Sequence, residues 1–426
     1  MAETIVKARK RGDYLSRSEA LEILRIKPQT LYCYVSRGYI RSVPQPGGRT
    51  SYYLREDVER VKAKSVARSG HGPAAASAMR WGEPVIESSI TEITDRGPRY
   101  RSRLAVDLAR SGATFESVAE YLWTGDWHEG ARGWHVEDRL GELPNLLTTR
   151  VKLFPEVHIL QLFSGAAVIR GFAPVSAQHK QPGAAPACAS RLIRTMTGAF
   201  GFIGPQRAFT ALEAGESVAH GLARALGIPT DPARLRALDA ALVLIADHEL
   251  NPATFVARVA ASAGSSLHAC VQAALGVWVG SAIGLTCDQL EQMFAPGVAA
   301  DEALARARST LRAGSKLPGF DLPVYPNGDP RAETLIDIAR EVDPAAVECM
   351  LDAVQRIEGE LEVRPVVEIG LVMLCRALGA PAGAAGGIFA LGRVAGWVAH
   401  VLEQREQSFL IRPRAQFARS AARALS

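Results

Sequence analysis

The sequence predicts an all-α body preceded by a small basic helix-turn-helix head. Three observations carry this expectation. Apolar residues recur at i, i+3, i+4 and i+7 through SVAHGLARALG, PARLRALDAALVLIADHEL, ATFVARVAASAG and GGIFALGRVAGWVAHVLEQRE, the repeat of one buried helix face. Positive charge gathers at one end: residues 1–68 hold 15 Lys/Arg against 7 Asp/Glu, whereas the rest of the chain holds 34 against 37. A small, polar run with Gly and Pro, SVARSGHGPAAASA, separates the two parts and reads as a linker. The expected organisation is a head over residues 1–64, a linker over 65–78 and a body over 79–426.

In the head, Ser16 followed by Glu19 forms a capping box that opens a first helix reaching about Leu24. Ile26, Lys27 and Pro28 make the turn. Pro28 suits the first position of a second helix, Pro28–Ser36, and Gly38 ends it. PQPGGRT between two extended runs predicts a wing-like hairpin, and Arg55–Lys64 a third helix. A basic module of this order suits a polyanion partner. The competing reading is a helical module that serves protein contacts alone.

The body is alanine-rich, which favours helix and close packing. Partial alternation in PVIESSITEIT predicts a short β element within Pro84–Thr94. Cys33, Cys188, Cys270, Cys287, Cys349 and Cys375 show no CxxC spacing, so reduced, packed thiols in the cytoplasm are expected, with no metal site. MAETIVKARKRGDY lacks the apolar core of a secretory signal. The uncharged stretch from Ala269 to Cys287 is long enough to span a membrane, but its Gly, Ala, Ser and Gln272 favour a buried helix. No membrane partner is expected.

The complete order helix, turn, helix, wing, helix resembles the winged helix-turn-helix of the MerR and excisionase type. That resemblance implies that Gln29, Thr30, Tyr32 and Arg37 face DNA from the second helix. Arg49 and Tyr52 of the wing would touch phosphate or the minor groove.

Four stretches of the body, RGPRYRSRLAVDLARSGATFESVAEYLWTG, ADHELNPATFVARVAASAG, LPGFDLPVYPNGDPRA and FALGRVAGWVAHVLEQRE with LIRPRA, resemble segments of the citrate synthase family. The resemblance implies a citrate synthase fold, a large helical domain and a small one inserted roughly over 250–360, in a homodimer. It implies condensation of acetyl-CoA or propionyl-CoA, as co-substrate, with oxaloacetate, and no other cofactor. The family's chemistry needs a carboxylate base and two histidines, one for the enol and one at the carbonyl. In this sequence the base position falls on Glu368 in RPVVEIG. The histidine positions fall on Ile283 in GSAIGLT and Leu322 in GFDLPVY. Neither aliphatic side chain can carry a proton. Glu368 remains a candidate base, one methylene longer than an aspartate, and about 1 Å of misplacement can cost ~10²-fold. Asp321 is a candidate stand-in beside Leu322.

The carboxylate-binding positions of the family fall on His248, Arg331, Arg393 and Arg412, and all four keep the family's residue type. The last would be donated across the dimer. Guanidinium forks grip carboxylates in bidentate fashion at any working pH. The expectation is therefore a DNA-binding protein that retains a di- or tricarboxylate site, such as one for oxaloacetate or citrate, with degenerate acid and base groups. The alternatives are an active citrate or 2-methylcitrate synthase, and a non-catalytic partner subunit of an intact one.

Overall fold

The computed structural model describes residues 14–24, 26–36, 39–44, 51–67, 86–130, 133–134, 140–172, 184–280, 284–407 and 409–413. The chain divides into two compact units. One comprises residues 1–87 with 413–426, and the other Ser88–Arg412.

The head unit runs β1 (Tyr14–Leu15), α1 (Arg17–Leu24), α2 (Pro28–Ser36), β2 (Ser42–Pro44), β3 (Ser51–Leu54) and α3 (Arg55–Ala67). Its capping box closes as expected: the Ser16 amide donates to Glu19 Oε2 at 2.7 Å and the Glu19 amide to Ser16 Oγ at 3.3 Å. The strands form an antiparallel sheet in the order β1-β3-β2, with Val43 opposite Tyr52. Leu15, Ala20, Leu24, Leu31, Ile40, Tyr53 and Val58 make the core. Buried Asp57 on α3 accepts from the Arg41 amide at 2.9 Å and from its guanidinium at 2.8 and 3.0 Å, which ties α3 to the approach of β2.

The second unit starts with a small antiparallel sheet, β4 (Thr91–Thr94), β5 (Gly97–Tyr100) and β6 (Arg103–Leu104). The sequence pattern anticipated the first strand and missed the other two, because RGPRYRSRL offers no apolar alternation. The helices follow: α4 (Ala105–Arg110), α5 (Phe115–Thr124), α6 (Leu143–Leu153), α7 (Ile159–Arg170), α8 (Ala184–Ala199), α9 (Val218–Leu226), α10 (Pro232–Leu244), α11 (Pro252–Ser262), α12 (Leu267–Trp278), α13 (Thr286–Met293), α14 (Ala300–Arg312), α15 (Pro330–Val342), α16 (Pro344–Leu361), α17 (Val367–Ala377) and α18 (Ala384–Gln407). Within the uncharged stretch Ala269–Cys287, α12 ends at Trp278 and α13 starts at Thr286.

Helix α18 is the centre of the body. It is long and apolar enough to cross a membrane by composition alone, but 94% of its most apolar stretch is buried in protein. Gly392 and Gly396 let another backbone approach. A Cβ on Gly392 would lie 2.6 Å from Ile245, and one on Gly396 would lie 2.2 Å from Asp247 Oδ1. The Gly396 amide also donates to Ala246 O at 3.0 Å. The turn after α10 is therefore pressed onto α18, which sets the floor of the site described below.

Helices α5 and α9 begin against two buried carboxylates. Glu116 Oε1 accepts from the Val218 amide at 2.7 Å, and Asp239 Oδ1 from the Phe115 amide at 2.9 Å. Burial, reinforced by Asp239, pushes the Glu116 carboxyl up to about 8. The fold therefore favours protonated Glu116. That contribution is fully present below the unfolded value near 4.5 and is lost as pH rises through about 8, at about 1.4 kcal/mol per pH unit within the window. Glu116→Gln should flatten the fall in stability between pH 5 and 8, as read by urea midpoints. An unchanged pH profile would contradict this assignment.

Candidate functional site

Helix α10 ends at Leu244, and the chain turns through Asp247, His248 and Glu249 before Asn251 caps α11 by accepting from the Thr254 amide at 3.0 Å. Glu249 sits in the left-handed region, with φ +55°, a conformation that costs a non-glycine residue free energy and clusters at functional sites. The turn delivers His248 to Tyr325, whose hydroxyl shares a hydrogen bond with His248 Nε2 at 3.2 Å. Burial first, then the charges of Arg331 and Arg393, hold the His248 imidazole well below its ordinary value. His248 is therefore neutral at pH 7, able to give or take one hydrogen bond. Burial pushes the Tyr325 phenol up to about 12.

Arg331 lies in the first turn of α15, after the helix-opening pair Asp329–Pro330. Asp329 Oδ1 accepts from Arg331 Nε at 3.0 Å and Oδ2 from Nη2 at 2.7 Å. Burial pulls the Arg331 guanidinium down, but Asp329 more than reverses this. Asp329 Oδ2 also accepts from the Val367 amide at 3.1 Å, so one carboxylate joins the starts of α15 and α17. The second residue of α17 is Glu368. Burial pushes its carboxyl up while Arg331 and Arg393 pull it down. No other side chain bonds it among the described residues.

Arg393 projects from the middle of α18 and is 2% exposed. Its Nε donates to Ile245 O at 2.9 Å. The guanidinium lies 5.7 Å from the Trp278 ring and 5.4 Å from that of Phe389. No carboxylate accepts from either Nη among the described residues. Burial lowers the group to about 10. An enclosed cation without a bonded carboxylate is costly; the nearby charges of Asp247 and Glu368 offset burial only in part, and a second guanidinium stands beside it.

The structure thus gathers His248, Arg331, Arg393 and Glu368 around one place. Leu322 is half-buried in the turn leading to Tyr325, whose amide donates to Leu322 O at 2.8 Å. Asp321 cannot stand in for an acid there. It is exposed at φ +57°, and its carboxylate accepts from the Arg364 amide at 2.9 Å. Ile283 lies outside the described residues. Its neighbour Gly284 closes the turn against α12, where a Cβ would meet Trp278 O at 2.0 Å. Arg412 is exposed beyond α18, just after Ile411, whose amide donates to Ser262 Oγ at 3.1 Å. Among the described residues, no three His, Cys, Asp or Glu side chains gather as a metal-holding group.

Sequence reasoning overlooked Tyr325 and Asp329 as parts of the site. Both stand inside the LPGFDLPVYPNGDPRA run, so the signal was present. Phe389, which flanks Arg393, likewise opens the FALGRVAGW run, whereas Trp278 on its other side lies outside all four family-like stretches.

On the head, Gln29 and Tyr32 are exposed one turn apart on α2, while Thr30 and Tyr52 are half-buried. The Arg17 guanidinium lies over the Tyr32 ring at 5.2 Å, which joins the start of α1 to the exposed face of α2. Arg37 and Arg49 lie outside the described residues.

A large helical unit with paired guanidiniums, carried beside a helix-turn-helix unit, defines the class. Residues 78–414 match the family described as citrate synthase, C-terminal domain, and residues 14–65 match a helix-turn-helix domain. The chain belongs to the citrate synthase family and carries a helix-turn-helix domain ahead of the citrate synthase domain. It is 28% identical to "Putative citrate synthase 2" of Mycobacterium tuberculosis over 327 residues, covering 74% of this chain and 85% of that protein. It is 31% identical to "Citrate synthase 2" of Bacillus subtilis over 196 residues, 45% of this chain and only 53% of that protein. Over 194 residues it is 31% identical to a 2-methylcitrate synthase of Shewanella oneidensis, which covers 43% of this chain and 50% of that protein. The citrate synthase of Thermotoga maritima superposes with a TM-score of 0.67 at 22% identity, covering 80% of this chain and 95% of that one. That likeness establishes the fold.

Proposed function

We propose that the body of this protein binds a small di- or tricarboxylate, of the oxaloacetate or citrate kind, and that the head binds DNA, so that the chain is a metabolite-responsive regulator with little or no condensing activity. Arg393 is the observation that carries the carboxylate reading. A buried guanidinium whose Nη groups bond no carboxylate among the described residues, flanked by aromatic rings and beside Arg331, fits an anion that adds to the partial compensation from Asp247 and Glu368. Neutral His248 suits a carbonyl or hydroxyl on the same ligand. In a homodimer, Arg412 of a second copy would complete the cluster. Closure of the 250–360 segment on the ligand would bias the spacing of two heads, which requires different ligand affinity in the two states.

The regulator reading is supported by Leu322, which has no donor or acceptor where acid chemistry is needed, and by Asp321, which is tied to Arg364. A second reading is an active citrate or 2-methylcitrate synthase using acetyl-CoA or propionyl-CoA. It is favoured by Glu368, whose carboxyl sits at the start of α17 with its pKa raised, as suits a base. Titration calorimetry of oxaloacetate and citrate into the full chain tests the proposal. Heat that saturates by millimolar ligand is expected, and its absence would remove the carboxylate site.

A further inference from the structure

A continuous line of polar side chains leaves the carboxylate site from behind and reaches the first residues of the body. It starts at Asp247, fully buried and next in sequence to His248. Asp247 Oδ2 bonds His400 Nε2 at 3.2 Å. His400 stands on α18 two turns beyond Arg393. Its Nδ1 accepts from Arg258 Nη1 at 3.0 Å, which places the His400 proton on Nε2, facing Asp247. Arg258 on α11 is fully buried and spends its remaining donors along one face of α18. Its Nε reaches Gln404 Oε1 at 3.0 Å, Nη2 reaches Gln407 Oε1 at 2.7 Å and Nη1 reaches Glu403 Oε2 at 2.6 Å. The other Glu403 oxygen accepts from the Ser89 amide at 2.7 Å and the Ser89 hydroxyl at 2.9 Å. Ser89 is the second residue of the second compact unit.

Among the described residues, the buried part of the network is loosest at the end beside the site. At the end beside His248, Asp247 Oδ1 and Thr91 Oγ1 meet each other but make no hydrogen bond of good geometry, whereas Arg258 donates to four side chains. A buried network satisfied elsewhere has few alternative arrangements, so a shift at its loose end must be taken up along its length.

We propose that ligand capture at His248, Arg331 and Arg393 is relayed through Asp247, His400, Arg258 and Glu403 to Ser88–Ser89, so that the entry to the body stiffens when the carboxylate is bound. The relay rests on the carboxylate-binding reading and extends it to the first residues of the second unit. These are positioning residues.

Hydrogen exchange of the full chain, with and without oxaloacetate or citrate, reads it directly. Exchange within residues 86–94 should slow about tenfold on ligand binding. Glu403→Gln should keep the ligand affinity and abolish that slowing. Ser89→Ala, a milder cut at the far end, should weaken it. Ligand heat without any change over 86–94, or a response that survives Glu403→Gln, would overturn the relay while leaving the carboxylate site standing. Loss of ligand affinity in Glu403→Gln would mark the network as structural and overturn it as well. No ligand heat in the wild-type chain would remove the carboxylate reading and the relay with it.

Discussion

Arg393→Met should abolish carboxylate binding and leave the fold intact or firmer. The guanidinium is enclosed, reaches one backbone carbonyl, and meets no carboxylate among the described residues. In the free protein it is a cation held at a loss, so an aliphatic replacement of similar length removes a desolvation penalty and retains the packing against Trp278 and Phe389. In the complex the same group would make charge-assisted bonds to the ligand. Losing them costs about 2–5 kcal/mol, or roughly 30- to 5,000-fold in affinity. Calorimetry and urea unfolding on one preparation give both halves. A variant that binds normally, or one that loses stability while keeping its affinity, would show that Arg393 is a structural cation.

Asp329→Ala should have the opposite profile, failing in stability first. Asp329 is 1% exposed, grips Arg331 through both oxygens, caps α15 and bonds the first amide of α17. Removing it strands a buried guanidinium, at about 3–5 kcal/mol, and leaves the Val367 amide unsatisfied. The urea midpoint should fall by that free energy divided by the slope, with the slope itself unchanged. Ligand affinity should also fall, because Arg331 loses its anchor and Glu368 rides on the same helix start. A shift below about 1 kcal/mol would mean that the pair is rehydrated rather than buried.

The body helices named from the sequence, α9, α10, α11 and α18, were legible because apolar residues recur at helical spacing between Gly and Pro stops, although the α10 run continued past its actual end at Leu244. Pro252 after Asn251, and Pro330 after Asp329, mark two helix starts by chemistry alone. The Ser16–Glu19 box did the same for the head. What escaped was set by tertiary contact. Strands β5 and β6 follow from where Tyr100 must reach, since its hydroxyl bonds Val243 O at 2.8 Å across 143 residues. The break between α12 and α13 comes from Gly284 closing on Trp278, which an uncharged, helix-compatible run conceals. The arginines were identifiable by their motifs, but their inequality was not. Only the fold reveals that Arg331 is bonded to a carboxylate and that Arg393, among the described residues, is not.

The central proposal is that the carboxylate-binding groups persist while the family's acid–base set is incomplete, with Leu322 where the carbonyl-side histidine is expected. Thiol release from acetyl-CoA and from propionyl-CoA in the presence of oxaloacetate tests it most directly. General acid and base catalysis contributes about 10²–10⁴ in rate, and Leu322 can supply none of it. We expect turnover at least ~10²-fold below the common enzyme median of about 10 s⁻¹. Turnover near that median with either thioester would contradict the claim and make this chain a working synthase with a helix-turn-helix domain.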